Sequence, residues 1–504
     1  MASLGKNIAA NYIGRSWTML LSILFIPLYL KFMGIEAYGL VGFYTALGSV
    51  LGILDLGIGA TMNRELARHS VNGDTSGPQR DIVRTLEIIY WGLAIFAGGV
   101  VVLTAPFIAN TWINVQILSQ ASVLKVVQLM GVAIALNFPV SLYQGGLMGL
   151  ERQVLVNSIL IFTGTLRSVG VILILWLVSP TVEAFFAWQV FSSVVSSIVF
   201  YIAMWASLPK NAKRAEFKTS IIKSIWKYSA AISSSALIGI ILSQLDKIIL
   251  SKMLPLKMFG YYTLAATLAS AIWMIIIPFN TALFPRLVQL NEAKKNKELN
   301  VLFHHSSQLL SLILLPVSAI FIFFSGNILL LWTHDPSVAE NSHLIVSFLV
   351  LGIMLNGVAS LPANCAPAFG WPLLVTYTNL IQAVFIIPLI VGMVFWLQGV
   401  GASIAWVVMN STYIIFMVPI FFRRFITNEK RKWYLNDIVK PMLTSFSVCI
   451  ISWLILPNFQ KPVAIFGWIA ITGLISLIAT GLTLPFIRYS VINKLTILLN
   501  LKRN

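Results

Sequence analysis

The fold class predicted by this sequence is an all-α integral membrane protein. About fourteen transmembrane helices are expected, as two parallel-repeat six-helix lobes plus two extra C-terminal helices. Three observations predict it. First, 58% of the residues are hydrophobic and only 10% are charged, where soluble domains carry roughly a quarter charged. Apolar surface on this scale cannot be hidden inside a water-soluble globule and must take lipid as its solvent. Second, apolar runs long enough to span alternate with loops of which every second one is basic. Third, the chain repeats itself.

Taken in order, the spans are expected near 12–33, 38–62, 85–110, 122–147, 153–178, 184–208, 225–250, 258–284, 305–332, 342–368, 373–396, 399–422, 439–457 and 463–487. The first apolar segment follows a polar, basic start (Lys6, Asn7, Asn11, Arg15) and is long enough to stay as a span instead of being cleaved as a signal peptide. Basic residues then follow the even spans: Arg64, Arg68, Arg80 and Arg84 after the second, Arg152 after the fourth, Lys210 to Lys227 after the sixth, Arg286 to Lys297 after the eighth, Arg423 to Lys432 after the twelfth. The intervening loops hold few: Lys31, Lys125, Lys252, Lys257 and Lys461. The positive-inside rule then makes both termini cytoplasmic, and an even span count agrees. The net charge of +18 is explained by these flanking residues and does not point to nucleic acid. The outer loops are simple turns, and the longest inner loop, around Asn72-Gly73-Asp74, reads as a solvated turn. An enzyme acting on lipid-linked sugars usually needs a large loop for its catalytic groups, and no loop here is large enough.

The repeat is anchored by Gly39 and Gly260, 221 positions apart, each preceded by an aromatic residue and a short basic cap. Gly149 and Gly370 share that offset, and Ala187-Trp188 and Ala405-Trp406 differ by 218. Six spans per copy keep both copies in one orientation, a parallel repeat of the kind transporters use. The expected organisation is a first lobe at 1–208, a linker at 209–224, a second lobe at 225–424, and two further helices with a tail at 425–504.

Ionisable groups within spans are costly and mark function by default. Arg15 reads either as an interfacial anchor whose stem lets its charge reach the headgroups or as a cavity cation. Arg167, near the middle of the fifth span, cannot snorkel easily and reads as a cavity-lining cation for an anionic substrate or as half of a structural pair. Asp55 lies deep in the second span, within Asp55-Leu56-Gly57-Ile58-Gly59. It suits a proton or cation site, a pair with an arginine such as Arg15, or the cap of a broken helix. Asp246-Lys247 suits a lateral ion pair or a gate. His304, His305, His334 and His343 are too scattered for a metal site and are expected in solvated positions. Cys365 and Cys449 read as buried thiols. Trp112, Trp332, Trp433 and Tyr434 fall where interface belts do.

The chain resembles the polysaccharide flippases of the multidrug/oligosaccharidyl-lipid/polysaccharide exporter superfamily, Wzx-type O-antigen flippases in particular. The residues that carry this are Pro27-Leu28-Tyr29, Gly34 with Tyr38-Gly39, Asp55 to Gly59, and Arg64-Glu65-Leu66-Ala67. In the second lobe they are Asp246 to Lys252, Gly260-Tyr261-Tyr262 and Phe284-Pro285-Arg286-Leu287. The resemblance implies two lobes around a central cavity, and transfer of an undecaprenyl-diphosphate-linked oligosaccharide from the inner to the outer leaflet of the bacterial inner membrane by alternating access. Arg15 and Arg167 are then the candidate substrate cations. Arginine suits a diphosphate through paired N–H donors. No P-loop is present, no cofactor or metal is expected, and the protein is not expected to be an enzyme. The expected partners are the lipid-linked substrate, the bilayer and polysaccharide polymerase or chain-length proteins, with the flippase itself a monomer. Two other functions fit less well. An ion-coupled drug exporter of the same fold would be expected to place carboxylates in its cavity. A membrane glycosyltransferase or polymerase would be expected to carry long loops.

Overall fold

The computed structural model describes residues 4–71, 78–209, 214–371, 373–457, 459 and 461–488. The expected turn at Asn72-Gly73-Asp74 lies outside them. The described chain is helical almost throughout and divides into two compact units, Met1–Gly260 and Tyr261–Asn504.

In the first unit, α1 (Leu4–Leu24) stops one residue before α2 (Ile26–Leu51). Pro27 sits in the first turn of α2, where its missing N–H costs nothing and where the preceding helix cannot continue through it. Gly34 then interrupts α2 with φ +78° and ψ 171°, a conformation open to glycine alone at little cost. A 3-10 turn, Gly52–Asp55, closes the helix, Leu56 and Gly57 follow at φ 47° and 66°, and α3 (Ile58–Val71) resumes. The second expected span is therefore a broken helix, and the Asp55 sequence is the break. Helices α4 (Pro78–Phe107, prolonged by a π-turn to Trp112), α5 (Gln120–Gly149), α6 (Gln153–Leu177), α7 (Val182–Ser207) and α8 (Thr219–Met253) complete the unit, and its boundary falls inside α9 (Leu256–Ala269). Two starts are capped as their sequences suggest: the Ser119 hydroxyl accepts from Ser122 N and the Thr181 hydroxyl from Ala184 N. The core gathers Met62 and Leu66 of α3, Val83 and Tyr90 of α4, Tyr143 and Leu147 of α5, and Phe200 and Met204 of α7.

In the second unit, a 3-10 turn at Ser270–Ile272 separates α9 from α10 (Trp273–Glu292). The repeat thus reproduces the broken helix as well as the glycine. Then come α11 (Asn296–Phe323), α12 (Ser325–Thr333), α13 (Pro336–Ala368) and α14 (Leu373–Thr412). Gln398, at φ 50° and ψ −130°, turns α14 back on itself. Gln382 on the first arm donates to Met409 O (3.1 Å) and to the Thr412 hydroxyl (2.7 Å) on the second. A π-turn (Tyr413–Met417) leads into α15 (Val418–Arg424). The two C-terminal helices follow: α16 (Lys430–Lys432) runs through a π-turn (Trp433–Val439) into α17 (Lys440–Leu454), and α18 (Pro462–Thr483) comes after it.

Among the described residues, eleven helices are long and apolar enough to cross a membrane, against fourteen expected. One of the eleven, Leu373–Arg424, runs through the Gln398 turn and carries two of the expected spans. Helices α1 and α8 are not among them. In α1, Asn7, Asn11 and Arg15 dilute the apolar run; in α8, the side chains of 226–238 lie outside the described residues.

The two repeat motifs touch reciprocally inside the first unit. A Cβ on Gly39 would lie 2.6 Å from Leu256 O, and one on Gly260 would meet Ile35 O. The 221-residue offset carries Ile35 to Leu256 and Gly39 to Gly260, so each glycine packs on the counterpart of its own neighbour. This is the signature of a local two-fold contact. The surrounding turn is tied by Glu36, whose carboxylate accepts from Gln116 N (2.6 Å) and Ile117 N (2.8 Å), by Leu256 N donating to Asn114 O (2.8 Å), and by Trp112 Nε1 donating to the Ser251 hydroxyl (3.0 Å).

Candidate functional site

Arg167 lies midway along α6, on the helix face opposite the exposed Phe162 and Val169. Its neighbours are held by polar contacts. Trp17 Nε1 donates to the Thr165 hydroxyl (2.9 Å) and Trp188 Nε1 to Leu166 O (3.1 Å). Its charge is near enough to the Tyr29 and Tyr44 hydroxyls of α2 to act on both. The Arg167 Nε is buried and has no hydrogen-bond partner among the described residues. A buried N–H left without an acceptor costs about 1–3 kcal/mol, so this guanidinium is a cation with unused donor capacity.

The other predicted residues fall apart from it. Arg15 belongs to α1, but its side chain lies outside the described residues. Asp55 caps the resumed helix: its Oδ1 accepts from Gly59 N (3.2 Å), closing the break that Leu56 and Gly57 open. Arg167 and Asp55 share no hydrogen bond or ion pair. Asp246, on α8, is buried, and the Lys247 ammonium beside it donates to Gln244 one turn back (3.2 Å).

In the first unit, the buried carboxylates of Glu87, Asp81 and Glu36 were not singled out from the sequence. Glu87 on α4 is 2% exposed and accepts from Tyr143 Oη (2.7 Å), Trp205 Nε1 (3.2 Å) and Arg84 (2.9 Å). Asp81, in the first turn of α4, receives the linker after α7. It accepts from Glu216 N (2.8 Å) and pairs with Lys218, whose own N donates to the Thr85 hydroxyl (3.0 Å). The hydrogen bond to Asp81 holds the Lys218 ammonium above the usual lysine range. Arg80 completes this anchor, donating to Pro209 O (3.3 Å) with its guanidinium over the Trp205 ring. The third is Glu36, already described in the outer turn. The available signal was the Arg84–Glu87 spacing of three within an apolar run, which places a compensating cation on the same helix face.

His304 departs from the solvated position expected for it. It is 4% exposed, with Asp437 against Nδ1 and Glu429 Oε2 3.0 Å from Nε2. Gln308 donates to the other Asp437 oxygen (2.8 Å) and accepts from Phe486 N (3.0 Å). Trp433 departs from the interface belt: it is fully buried and donates to the Ser307 hydroxyl (2.8 Å). Both corrections have one cause. The chain after Arg424 folds back onto α11, covering a surface that a one-dimensional reading leaves open.

A many-helix membrane protein with a broken helix repeated in both halves, the first break carrying Asp55, is of the transporter class. The chain belongs to the polysaccharide biosynthesis protein family, whose model, described as "Polysaccharide biosynthesis protein", matches residues 4–291. A second model, described as "MatE", matches residues 231–391. A curated relative, "Putative O-antigen transporter" of Shigella flexneri, is 23% identical over 408 residues, covering 80% of this chain and 94% of the relative. Among solved structures, the lipid II flippase MurJ in an inward closed conformation superposes with a TM-score of 0.71 at 14% identity, over 96% of this chain and 99% of the other. An inward-facing multidrug resistance MATE family transporter of the MOP superfamily gives 0.66 at 14% identity, over 81% and 94%. The fold is therefore that of MurJ and the MATE transporters.

Proposed function

We propose that this protein is a flippase that moves an undecaprenyl-diphosphate-linked oligosaccharide, an O-antigen or related envelope polysaccharide unit, from the cytoplasmic to the periplasmic leaflet of the bacterial inner membrane. The observation that carries this reading is the match over 80% of this chain and 94% of the relative named as an O-antigen transporter, on top of membership in the polysaccharide biosynthesis family. The physical need is plain. A sugar headgroup cannot enter hydrocarbon without losing its water hydrogen bonds, so a polar path must be supplied while the lipid tail stays in the bilayer.

In this reading Arg167, with its unused Nε donor, and Arg15 engage the diphosphate. Asp55, Asp246 and Lys247 serve coupling or hold the lobes. The lobes are 1–208 and 225–424, joined by the 209–224 linker, and they alternate access with both termini cytoplasmic. The residues 425–504 add two helices and a tail. The protein acts as a monomer beside polymerase and chain-length proteins and catalyses no covalent step. The match of residues 231–391 to the MatE model favours one other reading, an ion-coupled exporter of small cationic molecules. Leaflet-resolved translocation in proteoliposomes separates the two. A polyprenyl-diphosphate oligosaccharide is loaded on one side and its arrival on the other is read with an impermeant glycosidase, for wild type and Arg167→Ala. Transport by wild type and its loss in a folded Arg167→Ala support both the function and the cation. Transport by both leaves the function and removes Arg167 from it. Export of a cationic dye with no sugar transfer overturns the reading.

A further inference from the structure

In the second unit, both ring nitrogens of His304 face carboxylate oxygens, Asp437 on one side and Glu429 on the other. A neutral imidazole has one N–H and one lone pair, and an ionised carboxylate offers only acceptors. With both acids ionised and the ring neutral, one nitrogen lone pair would be pressed against a carboxylate lone pair inside the protein. The arrangement closes only when the trio holds one more proton, either on the ring or on one of the acids. The count is the same whichever atom carries it, and it lowers the buried charge from two negatives to one.

We propose that His304, Asp437 and Glu429 form a proton-binding site that fastens the two C-terminal helices to α11. The trio joins three parts of the chain: α11 supplies His304, the turn before α16 supplies Glu429, and the π-turn entering α17 supplies Asp437. Such π-turns recur at functional sites, and this one turns a fully buried carboxylate toward the ring. Gln308 extends the joint to the end of α18 through Phe486 N, and His305 stacks on the Phe486 ring with centroids 3.8 Å apart. Protons reach the trio from a cavity of about 610 Å³ lined by His304, His305, Glu429, Lys432, Lys297 and Phe486. The titratable and charged groups facing the trio are Lys432, 3.4 Å from Glu429, and Lys297 and His305 of α11, with Arg286 of α10 and Glu298 of α11 across the adjoining cavity. Lys432 and Lys297 lie on the cavity side of the ring and offset the charge of the two acids.

Loss of the proton leaves like lone pairs facing each other and loosens the joint. By linkage, opening releases the proton, so the opening constant rises about tenfold per pH unit while the docked trio still holds the proton and the opened one does not, and it levels off once the docked trio has lost it too. The test is hydrogen exchange on the full-length protein in lipid nanodiscs, from mildly acidic to mildly alkaline buffer, corrected for the intrinsic pH dependence of exchange. Segments 429–440 and 484–488 should lose protection steeply as pH rises, while α5 and α13 do not. His304→Gln, whose amide can still donate to one carboxylate, should flatten that dependence. A ring-¹⁵N spectrum supplies a second measurement: the resonance missing in His304→Gln should titrate together with the loss of protection. Protection of both segments that is independent of pH in wild type, or equally pH-dependent in His304→Gln, overturns the proposal. Neither readout involves substrate, so failure here is distinct from failure of the flippase reading.

Discussion

Replacing Gly39 and Gly260 by alanine tests the reciprocal contact directly. A Cβ on Gly39 would sit 2.6 Å from Leu256 O and 2.9 Å from Leu256 Cδ1. Ordinary contact begins at 3.4 Å, so the shortfall against a backbone atom is about 0.8 Å. A carbonyl oxygen within a helix cannot yield alone, so the two segments must separate. Overpacking of this kind costs about 1–3 kcal/mol. Alanine regains about 0.5–1 kcal/mol of helix propensity, leaving a net loss of about 1–2 kcal/mol for Gly39→Ala and as much or more for Gly260→Ala. The control is Gly48→Ala, on the same helix with nothing within 4 Å of its Cβ; it should be neutral or stabilising. Because both substitutions open one contact, the double variant should lose about 0.5–1 kcal/mol less than the two losses added together. Unfolding midpoints of the purified proteins, followed by tryptophan fluorescence through a denaturant series, measure all four. Gly39→Ala as stable as Gly48→Ala, or strict additivity in the double variant, would refute the reciprocal packing.

Further outcomes follow from the carboxylates. Glu87→Ala strands the Tyr143 and Trp205 donors and should cost about 3 kcal/mol, while Glu87→Gln keeps an acceptor and should cost less than half as much, both read as thermal unfolding shifts. Lys218 is held above its ordinary range by Asp81, so the linker anchor should be fully present below the pH at which a free lysine deprotonates and be lost as pH rises through the raised value. Above neutrality, limited proteolysis near 214–218 should therefore accelerate in strongly alkaline buffer for wild type, and already at neutral pH for Asp81→Asn. Asp55→Ala should lose about 1 kcal/mol of cap stability, whereas Asp55→Asn keeps the acceptor; full transport by Asp55→Asn under varied ion gradients would mean that Asp55 only caps.

Fold class was readable because lipid removes most alternatives: a run of apolar residues in a membrane is a helix, since its backbone groups have nowhere else to bond. Pro27, Gly34 and Gly57 were readable for a related reason, as each marks a backbone conformation that few residues adopt. Span counting was less secure, because polarity such as that of Asn7, Asn11 and Arg15 within α1 reduces the very signal that defines a span. The turn at Gln398 was readable from the gap between the apolar runs 373–396 and 399–422; what the sequence does not show is that it is made at φ 50° without a glycine, or that Gln382 then ties the two arms together.

The ionisable residues divide by a different rule. A lone arginine in an apolar run, such as Arg167, stands out in one dimension because nothing nearby in sequence compensates it. Glu87, Asp81 and His304 do not stand out, since each lies close to basic residues that suggest a solvated helix end. Their burial is produced by distant chain: Trp205 comes back at the end of α7 and Lys218 from beyond it, and Glu429 and Asp437 from beyond α15. The same return explains why these groups tolerate burial, as Glu87 meets donors from α4, α5 and α7, Asp81 two from the linker, and Asp437 two from α11. Polar clusters of this kind lock segments that are far apart in sequence, and they sit where the connections between helix groups begin: Asp81 at the linker before α8, and His304 at the start of the C-terminal helices. A helix end that is charged in sequence is thus ambiguous between solvent and a joint. The arriving chain decides which, and in this protein both major connections arrive as joints.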